Sequence, residues 1–203
     1  MDADGLIFAC ATSPEERAAR RAGFRTARIG VCARRGVPAG DLVSFGVAGG
    51  LNGLEIGALL DATRIVDEQG RVLWEGEGLG VAGARPAIIL AADRLVEDPA
   101  ERRRLHELTG ADAVDMESGV LAATGRLRGC LRAVSDTPER PLGPLGEAVT
   151  PDGRPRPLGF LKALATHPGA TLRALADIRS ALAALSGISA PASAFRPGGT
   201  ESA

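Results

Sequence analysis

Residues 113–136 read AVDMESGVLAATGRLRGCLRAVSD. This stretch predicts a short strand over residues 113–115, an alanine-rich helix over residues 116–127 and a second strand over residues 130–135. A strand, a helix and a strand in succession are typical of α/β sheets. Polar residues stand at the ends of both predicted strands, where such sheets place their binding and catalytic groups.

The chain before this stretch shows the same alternation of strands and helices. Residues 6–11 predict a first strand, and Ser13 and Pro14 predict the cap and the first position of the helix after it. Further strands are expected over residues 28–32, 42–47, 59–66 and 87–92, a hairpin turn over residues 67–70, an antiparallel strand over residues 72–74, and a helix over residues 98–108 that ends at Gly110. The pattern indicates one α/β domain with a central mixed, twisted sheet flanked by helices.

The chain after residue 136 differs in composition. Proline and glycine are frequent in residues 137–157, which predicts a long irregular loop that can cover a site. After Pro168, apolar residues at helical spacing predict a final core-packing helix: Leu172, Leu175, Ile178, Leu182 and Leu185. Residues 190–203 are small, polar and rich in proline and glycine, so we expect a disordered tail after a domain that spans residues 1–189.

The composition excludes several classes of protein. The chain has 203 residues, 45% of them hydrophobic, which is enough for one domain with a buried core. A formal net charge of -1 gives no electrostatic reason to expect a nucleic-acid partner. Cys10, Cys32 and Cys130 lie far apart in apolar runs, which indicates reduced thiols and no zinc site. We expect a cytoplasmic protein, because no signal-peptide pattern and no apolar run of roughly 20 residues is present.

A glycine-rich segment, SFGVAGGLNG, occupies residues 44–53. A turn of this kind can present backbone N–H groups to an anion or a polarised water, because glycine lets a ligand approach the main chain. The segment has neither the GxGxxG order of a dinucleotide site nor the lysine of a P-loop. Taken alone, it is better explained as a tight structural turn.

Acidic residues follow the predicted strand over residues 113–115. Asp115 and Glu117 flank Met116; a carboxylate can accept hydrogen bonds from two ribose hydroxyls, while a thioether offers a soft surface beneath the sugar. Acidic residues at a helix start are also favoured by the helix dipole, and this explanation is slightly better for the segment alone.

The last predicted strand ends in Ser135 and Asp136. A buried aspartic acid that keeps its proton can donate it to a base nitrogen, with Ser135 holding its orientation. An ordinary capping aspartate explains this stretch equally well.

In their order and spacing, these segments together resemble the nucleoside phosphorylase and methylthioadenosine nucleosidase superfamily. GVAGGL at residues 46–51, with LEIG at residues 54–57 and a strand through Ile65-Val66, resembles its glycine turn and the strand that follows. DMES at residues 115–118 resembles its Glu-Met-Glu ribose motif, and RAVSD at residues 132–136 its Arg-x-x-Ser-Asp catalytic strand. The resemblance runs from about residue 6 to residue 185 and implies the nucleoside phosphorylase fold.

The resemblance implies a role for each matched residue. Asp136 is implied to protonate N7 of the purine, with Ser135 beside it. Glu117 and Met116 are implied to hold the ribose, with Asp115 at the start of the same motif. Protonation makes adenine a better leaving group, and the carboxylate of Glu117 can stabilise the oxocarbenium-like sugar through its hydroxyls.

Other parts of the site are implied by position. Glu15, in the first β-α turn, resembles the acid that orients the attacking water and a ribose hydroxyl, and Glu16 is the adjacent alternative. The remaining implied substrate contacts come from the glycine turn and from a purine-binding loop over residues 92–96: Val47, Ala48, Gly49 and the backbone of Leu95 or Val96. An ordinary surface loop explains residues 92–96 equally well.

Some residues depart from the common pattern. Asp115 stands where many nucleosidases have glutamate, and Ser118-Gly119 where two alanines are frequent. These differences, the short chain and residues 93–101 look most like the hopanoid-associated phosphorylase subfamily, whose members are associated with the removal of adenine from adenosylhopane. That resemblance implies inorganic phosphate as co-substrate and a site that opens onto an apolar groove or the membrane surface, with peripheral contact at the inner membrane face. The sequence itself contains neither a cofactor motif nor a pattern of metal ligands, so we expect no cofactor and no metal.

Several alternatives stay open on the same scaffold. Water can replace phosphate, and methylthioadenosine, adenosylhomocysteine or futalosine can replace the hopanoid; a nucleoside-binding protein without turnover is a further alternative. Phosphorolysis needs an anion site, for which the candidates are Arg17, Arg20, Arg28 and Arg132. Superfamily members are oligomers, so we expect a homodimer.

Overall fold

The structure is a computed structural model that describes residues 5–148 and 156–188. Within these residues the chain forms an 8-stranded mixed sheet flanked by helices, which confirms the predicted α/β class. The strands are β1 (Leu6–Cys10), β2 (Thr26–Arg28), β3 (Asp41–Gly50), β4 (Leu59–Val66), β5 (Val72–Glu75), β6 (Arg85–Ala91), β7 (Ala113–Asp115) and β8 (Leu127–Asp136). The helices are α1 (Ser13–Arg21), α2 (Pro99–Thr109), α3 (Ser118–Ala122), α4 (Pro157–Thr166) and α5 (Pro168–Ser186). The predicted tail over residues 190–203 lies outside the described residues.

Strands β3, β7, β6, β4 and β8 form a closed ring within the sheet. β3 runs parallel to β8, and at its end Gly49 and Gly50 pair with Val114 and Ala113 of β7. β7 pairs with β6, β6 with β4, and β4 with β8, which closes the ring. Hydrogen-bonded strands lie about 4.8 Å apart, so the ring brings the ends of β3, β7 and β8 together.

Strand β1 is buried on both faces of the sheet. Successive side chains of a strand point to opposite faces, and in β1 Ile7 and Ala9 join one apolar cluster while Phe8 and Cys10 join another. The first cluster includes residues of α3, and the second includes residues of α1 and α5. Burial from both sides explains why the strand is a continuous apolar run.

Several predicted elements are present, together with the turn and capping residues that predicted them. The hairpin turn joins β4 to β5, with the N–H of Gly70 donating to the carbonyl of Asp67 at 2.9 Å. Helix α2 begins after Asp98, whose carboxylate accepts the N–H groups of Ala100 and Glu101, and it ends at Gly110 in the left-handed conformation. Helix α2 begins and ends at residues that form hydrogen bonds with the unpaired N–H and carbonyl groups of its two ends.

The first helix starts differently from the prediction. Thr12, and not Ser13, is the capping residue: its hydroxyl accepts the N–H of Glu15 at 3.5 Å, and Glu15 in turn accepts the N–H of Thr12 at 2.7 Å. The reciprocal contact with Glu15 is the physical reason, because it satisfies two backbone donors at once. The hydroxyl of Ser13 instead accepts a hydrogen bond from Arg28.

The strand predicted over residues 28–32 ends at Arg28. Gly30, Cys32 and Ala33 have φ angles of 77°, 51° and 53°, which no strand can accommodate. The helix predicted over residues 116–127 is also shorter, since α3 ends at Ala122 and the chain enters β8 at Leu127. β8 begins early because it pairs with β3 from its first residue.

The last part of the chain contains two further differences. Of the irregular loop predicted over residues 137–157, residues 149–155 lie outside the described residues; before them a 3₁₀ turn runs from Gly143 to Ala148. Helix α4 was not predicted. Leu172, predicted on the core face of the final helix, is 58% exposed, because Thr171 takes the buried position and donates its hydroxyl to the carbonyl of Ala163.

Candidate active site

The glycine segment over residues 46–50 is the end of strand β3 and not the predicted turn. Pairing with β7 and β8 keeps it extended. A Cβ atom at Gly46 would lie 2.2 Å from Oε1 of Glu15, and one at Gly49 would lie 3.0 Å from Oδ2 of Asp136. The glycines therefore make room for two acidic side chains, whereas the sequence suggested room for a ligand.

Glu15 reaches the glycine segment from the first turn of α1. Its Oε2 accepts hydrogen bonds from the N–H and the hydroxyl of Thr12, both at 2.7 Å, and its Oε1 accepts the N–H of Val47 at 2.9 Å. The side chain is buried. Glu16 instead pairs with the exposed Arg20 at 2.7 Å. Of the two adjacent acids, Glu15 is the one that the fold directs inward.

Glu117 is a buried acid just after β7. Burial, and then the neighbouring charge of Asp115, raises the pKa of Glu117 to about 8, although Arg132 opposes the shift. Glu15 contributes further repulsion. The carboxyl group of Glu117 is therefore mostly protonated at neutral pH, which is unusual for a glutamate and typical of functional sites.

The backbone at Cys32 contacts Glu117 and has an unusual conformation. The N–H of Cys32 donates to Oε1 of Glu117 at 3.1 Å. Cys32 and its neighbour Ala33 both have left-handed φ angles, a conformation that residues other than glycine seldom adopt. Backbone strain of this kind is concentrated at binding and catalytic sites.

Asp115 and Arg132 form a buried ion pair near Glu117. Nε of Arg132 donates to Oδ2 of Asp115 at 2.7 Å, and Nη2 donates both to Oδ2 and, at 2.6 Å, to the hydroxyl of Ser44. Oδ1 of Asp115 accepts the hydroxyl of Ser118 at 2.5 Å. Protein groups thus satisfy both oxygens of Asp115, and its contact with substrate stays a prediction.

Asp136 ends β8, paired in register with Gly49. Its Oδ1 accepts the hydroxyl of Ser135 at 2.7 Å, and its Oδ2 accepts Nη2 of Arg102 in a buried ion pair. The Ser135 hydroxyl also lies 3.3 Å from the carbonyl of Ala48. The acid is therefore fixed on both sides, by a hydroxyl and by a guanidinium group.

Sequence reasoning missed Arg102. It is the first of three consecutive arginines in α2, and nothing in that run marks it as the buried one. Arg102 precedes the buried Leu105 by three residues, which places both side chains on one face of the helix. This spacing is the signal that could have identified Arg102 as buried.

The other predicted contacts lie around these acids. Val47, Ala48 and Gly49 belong to β3, and the half-buried Met116 stands between Asp115 and Glu117. In the predicted purine-binding loop, Leu95 is 43% exposed, whereas Val96 is buried and its carbonyl accepts Nε of Arg102 at 2.8 Å. Within the described ranges, no group of three metal-ligating side chains comes together.

A pocket of about 470 Å³ opens beside Thr137, the residue after Asp136. Its walls come from the segment after β3, the segment after β8, and α5. Arg140 and Asp177 form an ion pair in its lining. Glu15, Glu117 and Asp136 are not among the residues that line this pocket.

The chain matches no protein-family model and no curated protein sequence. Among solved structures, the methylthioadenosine/S-adenosylhomocysteine nucleosidase of Colwellia psychrerythraea in complex with adenine matches with a TM-score of 0.54 and 14% identity, over 89% of this chain and 95% of that one. This chain has the nucleosidase fold. The futalosine hydrolase mutant of Helicobacter pylori shares this fold, with a TM-score of 0.53, 15% identity and coverage of 86% and 97%.

The S. pneumoniae nucleosidase with a transition-state inhibitor has the same nucleosidase fold, with a TM-score of 0.53, 12% identity and coverage of 87% and 99%. The fold implied by the sequence motifs is thereby confirmed. Identities at this level establish the shared fold, while function has to be argued from the site.

Proposed function

We propose that this chain cleaves the N-glycosidic bond of a purine nucleoside and releases adenine. The observation that supports this function is the convergence of three buried acids on one strand end: Glu15 contacts Val47, Asp136 lies beside Gly49, and Glu117 follows β7, which pairs with that glycine. Buried carboxyl groups on several sides of a strand end suit a reaction that needs a proton donor and a stabiliser of positive charge.

Asp136, in its protonated form, is the proton donor of this proposal, and its contact with Arg102 becomes a full ion pair once the proton has left. As the bond between C1′ of the sugar and N9 of the base breaks, its electron pair passes to the purine, and the proton of Asp136 passes to N7. Adenine then leaves as a neutral molecule. Ser135, at 2.7 Å from Oδ1, orients the carboxyl group.

Glu117 and Met116 hold the ribose in this proposal. The N–H of Cys32 fixes one oxygen of Glu117 and leaves the other for the sugar. Positive charge develops on the sugar as the base departs. A positive charge beside the carboxyl group of Glu117 favours its ionised form, and the resulting carboxylate stabilises that charge. Glu15 orients the nucleophile and a ribose hydroxyl from the neighbouring position.

Inorganic phosphate is the proposed nucleophile, and Arg28 its proposed ligand. Of the four candidate arginines, Arg20 pairs with Glu16, and Arg132 is buried against Asp115. Arg28 instead contacts Ser13 at the start of α1, and its Nε is buried without a hydrogen-bond partner among the described residues. A phosphate oxygen would satisfy that donor, and a helix N-terminus favours negative charge.

Adenosylhopane is the proposed substrate, because the amino-acid sequences of residues 93–101 and 115–119 resemble those of the hopanoid-associated subfamily. Leu158 and Leu161 of α4 are 82% and 58% exposed and give this part of the chain an apolar surface. Such a surface suits a hydrocarbon substituent at the 5′ position and peripheral contact with the inner face of the membrane. In the described residues, no helix has the length and hydrophobicity that crossing a bilayer requires.

Hydrolysis of a small nucleoside is the second candidate function. The solved structures that share the fold include a nucleosidase in complex with adenine and a futalosine hydrolase mutant. In this candidate, water replaces phosphate and transfers a proton to Glu15 as it attacks C1′. Val72, Leu73 and Val120 are exposed on adjacent elements and support the proposed homodimer in either case.

The experiment that tests the function measures adenine release from adenosylhopane and from methylthioadenosine, each with and without phosphate. Asp136→Asn is the inactive variant and Arg103→Met, at an exposed position of α2, the matched control. Phosphate-dependent release from the hopanoid supports the first candidate. Release from methylthioadenosine without phosphate supports the second, and binding of nucleosides without release would reduce the chain to a binding protein.

A further inference from the structure

Helix α2 carries a charge in the protein interior. Arg102 is fully buried, whereas the next two residues of the helix, Arg103 and Arg104, are exposed. Arginine is almost never fully buried unless its charge is paired and its donors are satisfied. The groups that contact Arg102 therefore indicate the role of its buried charge.

The guanidinium group of Arg102 contacts three parts of the site. Nε donates to the carbonyl of Val96 at 2.8 Å, Nη1 donates to the carbonyl of Gly50 at 3.1 Å, and Nη2 donates to Oδ2 of Asp136. The two carbonyl groups fix the plane of the guanidinium. A planar guanidinium group held in this way donates to the carboxyl group of Asp136 in one orientation only.

The glycine at position 49 makes this contact possible. A Cβ atom there would lie 3.2 Å from Nη2 of Arg102 as well as 3.0 Å from Oδ2 of Asp136. The ion pair therefore lies against a stretch of β3 that has no side chain. The missing side chain at Gly49 of β3 therefore gives Arg102 of α2 the space to reach Asp136.

Stability alone does not explain a buried ion pair. Removing two charges from water costs about as much as their attraction returns, and apolar residues of similar volume are often equally stabilising. A role in the chemistry of Asp136 explains it better. When a buried acid gives up its proton, it becomes an anion in a place that water cannot reach, and a fixed positive charge beside it stabilises that anion.

We propose that Arg102 is a positioning residue, which holds the carboxyl group of Asp136 in the orientation for proton transfer and stabilises the carboxylate that the transfer leaves. The inference rests on the proposed function, since it requires Asp136 to act on a purine. The transferred proton starts on Asp136 and ends on N7 of the purine, while Arg102 keeps its own protons and does not touch the substrate.

A double-mutant cycle on the full-length protein tests this proposal. kcat and KM for adenine release are measured for Arg102→Met, Asp136→Asn and the double variant. We expect Asp136→Asn to lower kcat by about 100-fold or more and Arg102→Met by about tenfold to 100-fold, with KM little changed. In the double variant, the loss should equal that of Asp136→Asn alone, because Arg102 acts only through Asp136.

A purely structural Arg102 would give a different result. The arginine substitution would then reduce kcat by the same factor in both backgrounds, and this outcome would overturn the proposal, as would an unchanged kcat in Arg102→Met. Arg103→Met on the same helix is the matched control and should leave kcat and KM unchanged.

Folding can be separated from positioning. Arg102→Met leaves the Asp136 carboxyl group buried without its guanidinium partner. If that variant does not fold, Arg102→Lys keeps a charge beside Asp136 while losing one of the two carbonyl contacts. We expect its kcat to lie between wild type and Asp136→Asn; a wild-type kcat would overturn the orienting role. Free guanidinium should raise the kcat of Arg102→Ala and leave that of Asp136→Asn unchanged.

The two proposals fail in distinguishable ways. If the wild-type protein releases no base from any purine nucleoside, the proposed function is wrong. If the wild type releases base and Arg102→Met releases it at the same rate, the function stands and the role of Arg102 is wrong.

Discussion

A Cβ atom on Gly46 would lie 2.2 Å from Oε1 of Glu15. The same oxygen accepts the backbone N–H of Val47 at 2.9 Å. The acid at the start of α1 and the glycine of β3 therefore depend on each other: the side chain of one occupies the space that a side chain on the other would need.

Gly46→Ala should consequently displace Glu15. We expect a loss of about 1–3 kcal/mol in the free energy of unfolding from overpacking, together with a loss of activity, because Glu15 moves away from Val47. Urea unfolding and initial rates measure the two effects. Adding Glu15→Ala removes the clash, so the double variant should lose less stability than the sum of the two single variants, and it should stay inactive.

Gly169→Ala is the matched control for this substitution. The position is helical, has open space around it and has no left-handed φ angle. The alanine should leave stability unchanged or raise it slightly. Equal losses at both glycines would contradict the close fit between Gly46 and Glu15.

The raised pKa of Glu117 predicts how stability depends on pH. An unfolded glutamate titrates near 4.5, and the folded one at about 8. Between these values the folded state binds a proton that the unfolded state has lost, so the free energy of unfolding falls as pH rises through this window. The slope from this one group is at most about 1.4 kcal/mol per pH unit.

Glu117→Gln should remove this contribution. Urea unfolding at several pH values between about pH 5 and pH 8 would show a flatter profile for the variant. Glu107→Gln, on the exposed face of α2, is the control and should keep the wild-type slope. Parallel profiles for wild type and Glu117→Gln would mean that Glu117 is ionised in the folded protein.

The buried pair of Asp115 and Arg132 should be far more sensitive than a surface pair. Arg132→Met leaves the carboxylate of Asp115 buried and unpaired, so we expect a loss of about 3–5 kcal/mol in the free energy of unfolding. The double variant Asp115→Asn with Arg132→Met should lose less than Arg132→Met alone, because it leaves no isolated charge.

The pair of Arg64 and Glu75, 44% and 58% exposed, provides the comparison. Arg64→Met should cost less than about 1 kcal/mol. Denaturant titration measures all of these variants, and a similar cost for Arg64→Met and Arg132→Met would contradict the buried geometry.

Arg28 should govern the use of phosphate if the reaction is phosphorolysis. Arg28→Gln removes a charge-assisted donor, so we expect the KM for phosphate to rise about tenfold while the KM for the nucleoside stays near the wild-type value. Arg17→Gln, an exposed candidate on α1, is the control. A rise in the phosphate KM for Arg17→Gln alone would move the anion site to that residue.

The sequence predicted most of the fold, and it did so where the local signal is strong. The caps Asp98 and Gly110 delimit α2 as expected, and the hairpin at residues 67–70 is present. Predictions were wrong where pairing between distant strands decides the conformation. The glycines at residues 46–50 have the composition of a turn, and only their pairing with β7 and β8 makes them a strand.

For the candidate site, the resemblance of the motifs to the nucleosidase superfamily singled out Glu117 and Asp136, and either Glu15 or Glu16. These acids stand at the ends of predicted strands or the start of a predicted helix, where chemistry in α/β folds concentrates. Only the tertiary structure decided the inward direction of Glu15 over Glu16, the pairing of Asp115 with Arg132, and the burial of Arg102 against Asp136. These contacts join residues far apart in the chain. Their energies depend on burial and on the charges that other elements bring near, and a linear pattern contains neither quantity.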